Sequence, residues 1–227
     1  MHLFGANINI KIVVLASFFC LTTFNISNSN FGNSLFKIEN IFFNKTTYFE
    51  EPIKSQILDY LNNESLLFVS KRKIANIITK SNWVNHLEIK REFPNNISIN
   101  IKEFFPIGYY YKNNQLYLIN SKFLISKFNQ EIDLKNMIRF NEALDLDQIK
   151  VLYNILISRN DMFSNIYQIN YFKNNRWDII LKDKKIIKLG DYDLNEQLNK
   201  LNYFVKDQKV HTIDLRIKNR ITIGYVE

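Results

Sequence analysis

One hairpin constrains this chain more than any other feature. From Trp83 to Pro106 the sequence reads WVNHLEIKREFPNNISINIKEFFP. Leu87, Ile89 and Phe93 share one parity, and Ile97, Ile99 and Ile101 alternate with Ser98, Asn100 and Lys102, so two half-buried strands are predicted. Pro94, with its fixed φ, and Asn95 and Asn96, which tolerate left-handed backbone, supply the reversal. A slip of one residue would turn every Ile to solvent, so the register is tightly specified and something must cover the apolar face.

The cover lies upstream. Phe36 to Phe43 is a short apolar run with the character of a strand. Phe49, Ile53, Ile57, Leu58 and Leu61 then recur at helical spacing, and Ile74, Ile77 and Ile78 follow Ser70, a suitable N-cap. The start of the first helix stays open over Thr47 to Pro52, because Thr47 and Glu50 have capping-box spacing whereas Pro52 favours the first helical position. The predicted order is strand, helix, helix, strand, strand, with both helices on one face of a three-stranded sheet.

The second half reads as short strands with two helices. Pro106 to Tyr111, Gln115 to Ile119 and Phe123 to Phe128 are followed by a helix from Leu146 to Ser158, capped by Asp145 or Asp147. Strands 166–172, 176–181 and 185–189 form a meander through turns at Asn174-Asn175 and Asp183-Lys184. A helix from Leu194 to Val205 precedes two final strands around Lys218 to Arg220. An antiparallel sheet with one face on the two helices is expected.

Before all of this, Ile12 to Ser29 carries no charge and is most apolar as far as Phe24. It is near the lower length for a membrane span at ~1.5 Å rise per residue, and Lys11 before it points to a cytoplasmic N-terminus. The residues alone leave a cleaved signal peptide equally open, with Ser27-Asn28-Ser29 as the cleavage site. Asn25 to Ser34 is a polar linker. Cys20 is the only cysteine, so no intrachain disulfide can form.

Chemistry is sparse. The three histidines, His2, His86 and His211, are far apart in sequence, and no HExxH, phosphate loop or GxSxG occurs. No catalytic, cofactor or metal site is therefore expected, and no enzyme. Glu50-Glu51 and Asp145/Asp147 suit helix starts. Glu103 continues the inward parity of the three Ile residues, as a buried acid, a frayed strand end or an ion-pair partner. The excess of 30 basic over 22 acidic residues, a net +8, is spread over every segment; it forms no basic helix and does not point to nucleic acid.

The last segment, Ile221 to Val226, has the character of an edge strand, with Ile221, Ile223 and Tyr225 on one side and Thr222, Gly224 and Val226 on the other. Its outer edge is either covered within the fold or free to add a partner's strand.

Taken together, these residues resemble a known family. The order of the first elements is similar to a POTRA module. Trp83-Val84, Arg91-Glu92-Phe93-Pro94-Asn95, Ile99 to Glu103 and Pro106 resemble the FtsQ/DivIB cell-division proteins, as do Ile187-Lys188-Leu189-Gly190 and Ile213-Asp214-Leu215-Arg216 before a closing Gly224-Tyr225. Asn44 replaces a Gly common in the family and Phe104 an Arg; Ile217 stands for an aromatic and Arg220 for a possible Gly.

The resemblance implies an α+β protein with a cytoplasmic tail (1–11), a single uncleaved transmembrane anchor (12–29) and a linker (30–35). A POTRA-like β-α-α-β-β domain (36–105) and a C-terminal antiparallel β-sheet domain flanked by helices (106–227) follow. It further implies a non-enzymatic scaffold in the inner membrane at the division septum, its bulk periplasmic, bound to FtsB-like and FtsL-like small bitopic proteins. The matching partner-binding positions are Arg216, Ile217, Asn219, Gly224 and Tyr225, with Thr222 on the same strand. The competing expectation is a secreted binding module for envelope polymer or lipid, cleaved near Ser29.

Overall fold

Isoleucine alternation sets the first sheet. In this computed structural model β1 (Asn40–Phe43) runs parallel to β3 (Asn96–Glu103), which pairs antiparallel with β2 (Val84–Glu92), giving the order β1-β3-β2. Ile89 stands opposite Ile99 and Leu87 opposite Ile101, so the apolar rows meet across the hairpin. The structure describes residues 14–19, 36–142, 145–201 and 204–225, and of residues 160 and 161 the backbone alone. The expected tail, the linker and most of the anchor lie outside them. Residues 14–19 are helical, and among the described residues no helix is long and apolar enough to cross a membrane. The chain divides between Glu103 and Phe104 into two compact units.

In the first unit, α1 (Glu51–Asn62) buries Ile53, Ile57 and Leu61, and α2 (Lys71–Ile78) buries Ile74 and Ile78. Both pack with Ile89, Ile97, Ile99 and Ile101 in one core. Each fully buried Ile or Leu contributes about 1.5–3 kcal/mol relative to exposure. The Ser70 hydroxyl caps α2 by accepting from Lys73 N–H at 3.3 Å. Pro52 lies in the first turn of α1, where its missing N–H costs nothing, and Glu50 makes no side-chain cap, so the capping box does not form. Phe93 is 58% exposed despite its parity, because β2 has ended and Phe93 opens the turn.

The second unit is one nine-stranded sheet among the described residues. Its strands are β4 (Pro106–Lys112), β5 (Gln115–Asn120), β6 (Ile125–Phe128), β7 (Ile138–Phe140), β8 (Ile166–Phe172), β9 (Arg176–Leu181), β10 (Ile186–Leu189), β11 (Val210–Leu215) and β12 (Thr222–Tyr225), in the order β12-β11-β10-β9-β8-β7-β4-β5-β6. Its helices are α3 (Leu146–Ile157), α4 (Asn160–Phe163) and α5 (Leu194–Lys200).

The expectation of an antiparallel sheet is corrected. The junctions β10/β11, β4/β7 and β7/β8 are parallel. Helices separate β7 from β8 and β10 from β11 in the chain, and a strand that follows such a crossover re-enters the sheet in the same direction. The meander β8-β9-β10 is antiparallel as expected, with Asn175 and Lys184 in left-handed conformation at its turns. α5 ends at Lys200, short of the predicted Val205, whose N–H bonds the Leu201 carbonyl in a turn. Ile149, Leu152 and Leu156 of α3 and Leu198 of α5 pack with Trp177, Ile179, Ile187 and Ile213 of the sheet.

A candidate partner-binding edge

Among the described residues β12 sits at one end of the large sheet and pairs with β11 alone. Thr222 faces Asp214, Ile223 faces Ile213, Gly224 faces Thr212 and Tyr225 faces Val210, with a register shift between Val210 and Thr212. Ile223 packs against the core as its parity requires. Tyr225 does not: it is 62% exposed at the end of the strand, beside the register shift. Ile221 precedes the strand and is exposed, and Val226 lies outside the described residues. A Cβ on Gly224 would meet only Thr212, at 3.4 Å, so the chain's own packing tolerates a side chain at this position.

The turn into β12 spans Ile217 to Arg220. Arg220 N–H donates to the Ile217 carbonyl at 3.1 Å, and the left-handed residue is Asn219, with φ 63°. Asparagine tolerates that conformation better than most residues with a side chain. Ile217, at the head of the turn, is 60% exposed.

Arg216 points back along its own strand. Its Nε donates to both oxygens of Asp214, each at 2.9 Å, and its backbone N–H donates to Asp214 Oδ1 at 3.1 Å. These side-chain hydrogen bonds hold the Asp214 carboxyl below its ordinary range, against the opposing effect of burial. The same contact raises the Arg216 guanidinium.

Around this pair lies a concavity of about 300 Å³ lined by Arg176, Asp214, Arg216, Ile217, Arg220 and Thr222. Asp178 faces Lys188 and Lys188 faces Asp214 across β9, β10 and β11. Burial pushes the Asp178 carboxyl up, while Lys188, Arg216 and Arg176 pull it the other way. Arg176 lies 5.8 Å from the Phe172 ring centroid, and its Nε makes no hydrogen bond among the described residues. The concavity therefore presents three guanidinium groups, one already paired, beside an edge strand. Such a surface suits an acidic extended segment.

All six predicted site residues fall in the segment from the end of β11 through β12, and three of them, Arg216, Ile217 and Thr222, line the concavity. Arg176 and Arg220 were not among the predicted contacts. The inward parity of Trp177 places Arg176 on the opposite side of β9, yet only the strand order brings it near Arg216. His86 and His211 belong to different units, and among the described residues no group of three or more metal-type ligands occurs. Asp145 acts as a helix cap, its carboxylate accepting from Asp147 and Gln148 N–H.

Residues 36–104 match the POTRA domain, FtsQ-type, and residues 109–216 match Cell division protein FtsQ/DivIB, C-terminal. The chain is 26% identical over 203 residues to the Cell division protein FtsQ of Rickettsia felis, covering 83% of this chain and 72% of that protein. It is 27% identical over 194 residues to the FtsQ of Rickettsia bellii, with the same coverage. With the Cell division protein DivIB of Clostridium tetani it shares 27% over 186 residues, covering 72% of this chain and 67% of that protein.

Proposed function

The chain belongs to the FtsQ/DivIB family of cell division proteins, and on that premise we propose that it is a non-enzymatic, single-pass scaffold that gathers other membrane-anchored division proteins at the septum. Residues 1–11 stay in the cytoplasm and 12–29 span the inner membrane. The linker 30–35, the POTRA domain and the C-terminal sheet domain stand in the periplasm. The partners are small bitopic coiled-coil proteins of the FtsB and FtsL kind.

The observation that carries this reading is the pairing of β12 with β11 alone. A partner strand laid along the other edge of β12 satisfies its outward backbone groups, which supplies affinity. Thr222 and Tyr225 are exposed along that strand. Acidic side chains of the partner meet Arg176 and Arg220, while Ile217 offers an apolar contact at the turn. Arg216 serves through Asp214, holding the end of β11 where the turn begins.

Co-purification from division-competent membranes tests the proposal. The full chain should carry a small bitopic partner through detergent extraction and wash. A chain ending at Leu215, with circular dichroism retained, should lose it. Retention of the same partner by the shortened chain would contradict strand addition at β12.

A further inference from the structure

One end of the first unit exposes apolar side chains that its own core does not use. Phe36, Leu67, Phe68 and Phe93 are 37%, 40%, 46% and 58% exposed. They come from three separate segments that are tied together. The rings of Phe36 and Phe93 meet edge to face at 5.9 Å, and the Phe36 carbonyl accepts from Leu66 N–H at 2.9 Å. Lys37 bridges to Ser65, and Arg91 donates to the Val69 carbonyl. Ser70 N–H donates to the Tyr60 hydroxyl at 2.9 Å, which fixes the far side of the loop. The patch is thus presented by a braced surface.

Its charge and position narrow what it meets. Exposed Lys37, Lys71, Arg72, Lys73 and Arg91 stand within five residues of these side chains along the chain, as do Glu39, Glu64 and Glu92. Glu92 is occupied by the Ser98 hydroxyl at 2.8 Å, Glu39 accepts from Asn95, and Lys73 lies 4.1 Å from the Tyr60 ring. This is also the end at which the chain enters the unit: Phe36 follows the linker 30–35, and six residues reach at most roughly 20 Å. Exposed aromatic side chains flanked in the chain by lysine and arginine suit the headgroup level of an anionic bilayer.

We propose that the Phe36, Leu67, Phe68 and Phe93 end of the POTRA unit docks on the anionic surface of the membrane that the chain's own anchor spans. The inference rests on the anchored reading above. Docking sets the unit on the membrane instead of leaving it free on a tether.

The test uses the full chain with Cys20→Ser, reconstituted in vesicles containing phosphatidylglycerol and lipids with quenchers at shallow acyl positions. An environment-sensitive fluorophore is placed at Leu67→Cys, with Asn85→Cys on β2 as the reference. The lipid quenchers should reduce emission at 67 and leave 85 unchanged. Phe68→Asp with Phe93→Asp should abolish the effect at 67 while the chain stays in the vesicle fraction after an alkaline wash. Equal, unquenched emission at 67 and 85 from chain retained in the vesicles would overturn the docking alone. Loss of the chain from the vesicles in that wash would overturn the anchored reading and the docking with it.

Discussion

Gly190 lies so close to Arg216 that a Cβ on it would stand 2.6 Å from the Arg216 carbonyl oxygen and 3.0 Å from its Cα. The approach joins the end of β10 to the residue that opens the turn into β12. Gln197, fully buried, secures the same point: its Oε1 accepts from Gly190 N–H at 2.7 Å, and its Nε2 donates to the Tyr192 carbonyl at 2.7 Å. The geometry of the proposed binding edge thus depends on a residue in a different strand.

Gly190→Ala should therefore cost about 1–3 kcal/mol, the usual range for forcing an added methyl into a filled space, and should weaken partner capture by displacing Arg216. Gly224→Ala is the contrast. Its Cβ meets Thr212 at an ordinary contact distance, so stability should change by less than about 1 kcal/mol. Partner capture should persist, because the added methyl lies against Thr212 of β11 and leaves the other edge of β12 open. Urea unfolding and co-purification on both variants separate the two effects.

Glu103 anchors the loop before α1. Its carboxylate accepts from the N–H groups of Thr47, Tyr48 and Phe49 at 2.8, 2.6 and 2.6 Å. Beside it the Tyr48 ring stacks on buried Trp83 at 4.8 Å, and burial, then the Glu103 charge, raises the Tyr48 phenol. Hydrogen bonds to a charged acceptor contribute about 1.5–3 kcal/mol. Glu103→Ala should lower the unfolding free energy of the first unit by about that much, read in urea, and Glu103→Gln, which keeps an acceptor oxygen, by less.

Asp178 and Asp214 should give opposite pH responses. Burial raises the folded pKa of Asp178 above its unfolded value of about 3.9. Its contribution is complete below the unfolded value and is lost as pH rises through the folded one. Asp178→Asn should accordingly raise the melting temperature at neutral pH, and the gain should vanish in acid. Hydrogen bonds from Arg216 lower the folded pKa of Asp214, so its contribution is present above the unfolded value and is lost as pH falls through the folded one. Asp214→Asn should therefore destabilise at neutral pH. Melting curves across an acid-to-neutral series check both signs.

Much of the first unit was legible because its signals are local and periodic. Ile97, Ile99 and Ile101 state one strand face, Ile53, Ile57 and Leu61 state one helix face, and Ser70 marks a helix start where it stands. Glu103 shows the limit: its parity pointed inward, but its three backbone partners lie more than fifty residues earlier in the chain. Asn44 is similar. It does not take a left-handed conformation; its amide instead clamps Ile101, donating to the carbonyl at 2.8 Å and accepting from the N–H at 2.7 Å.

In the second unit, β7 is three residues long, too short for any alternation to show, yet it joins β4 to β8 and so fuses two smaller sheets into one. Without it neither the parallel junctions on its two sides nor the nine-strand order could be read. The proposed binding segment was visible as the last alternating run. Arg176 required the order of β9, β10 and β11, which no local pattern contains.

The central claim is that β12 takes a partner's strand along its free edge. Photoreactive residues placed singly at Ile217, Asn219, Thr222 and Gly224 of the membrane-anchored chain test it most directly. Strand addition predicts crosslinks to one small bitopic coiled-coil protein, alternating in strength along β12. Crosslinks absent from all four positions in dividing cells, with the chain found soluble and cleaved near Ser29, would contradict the account.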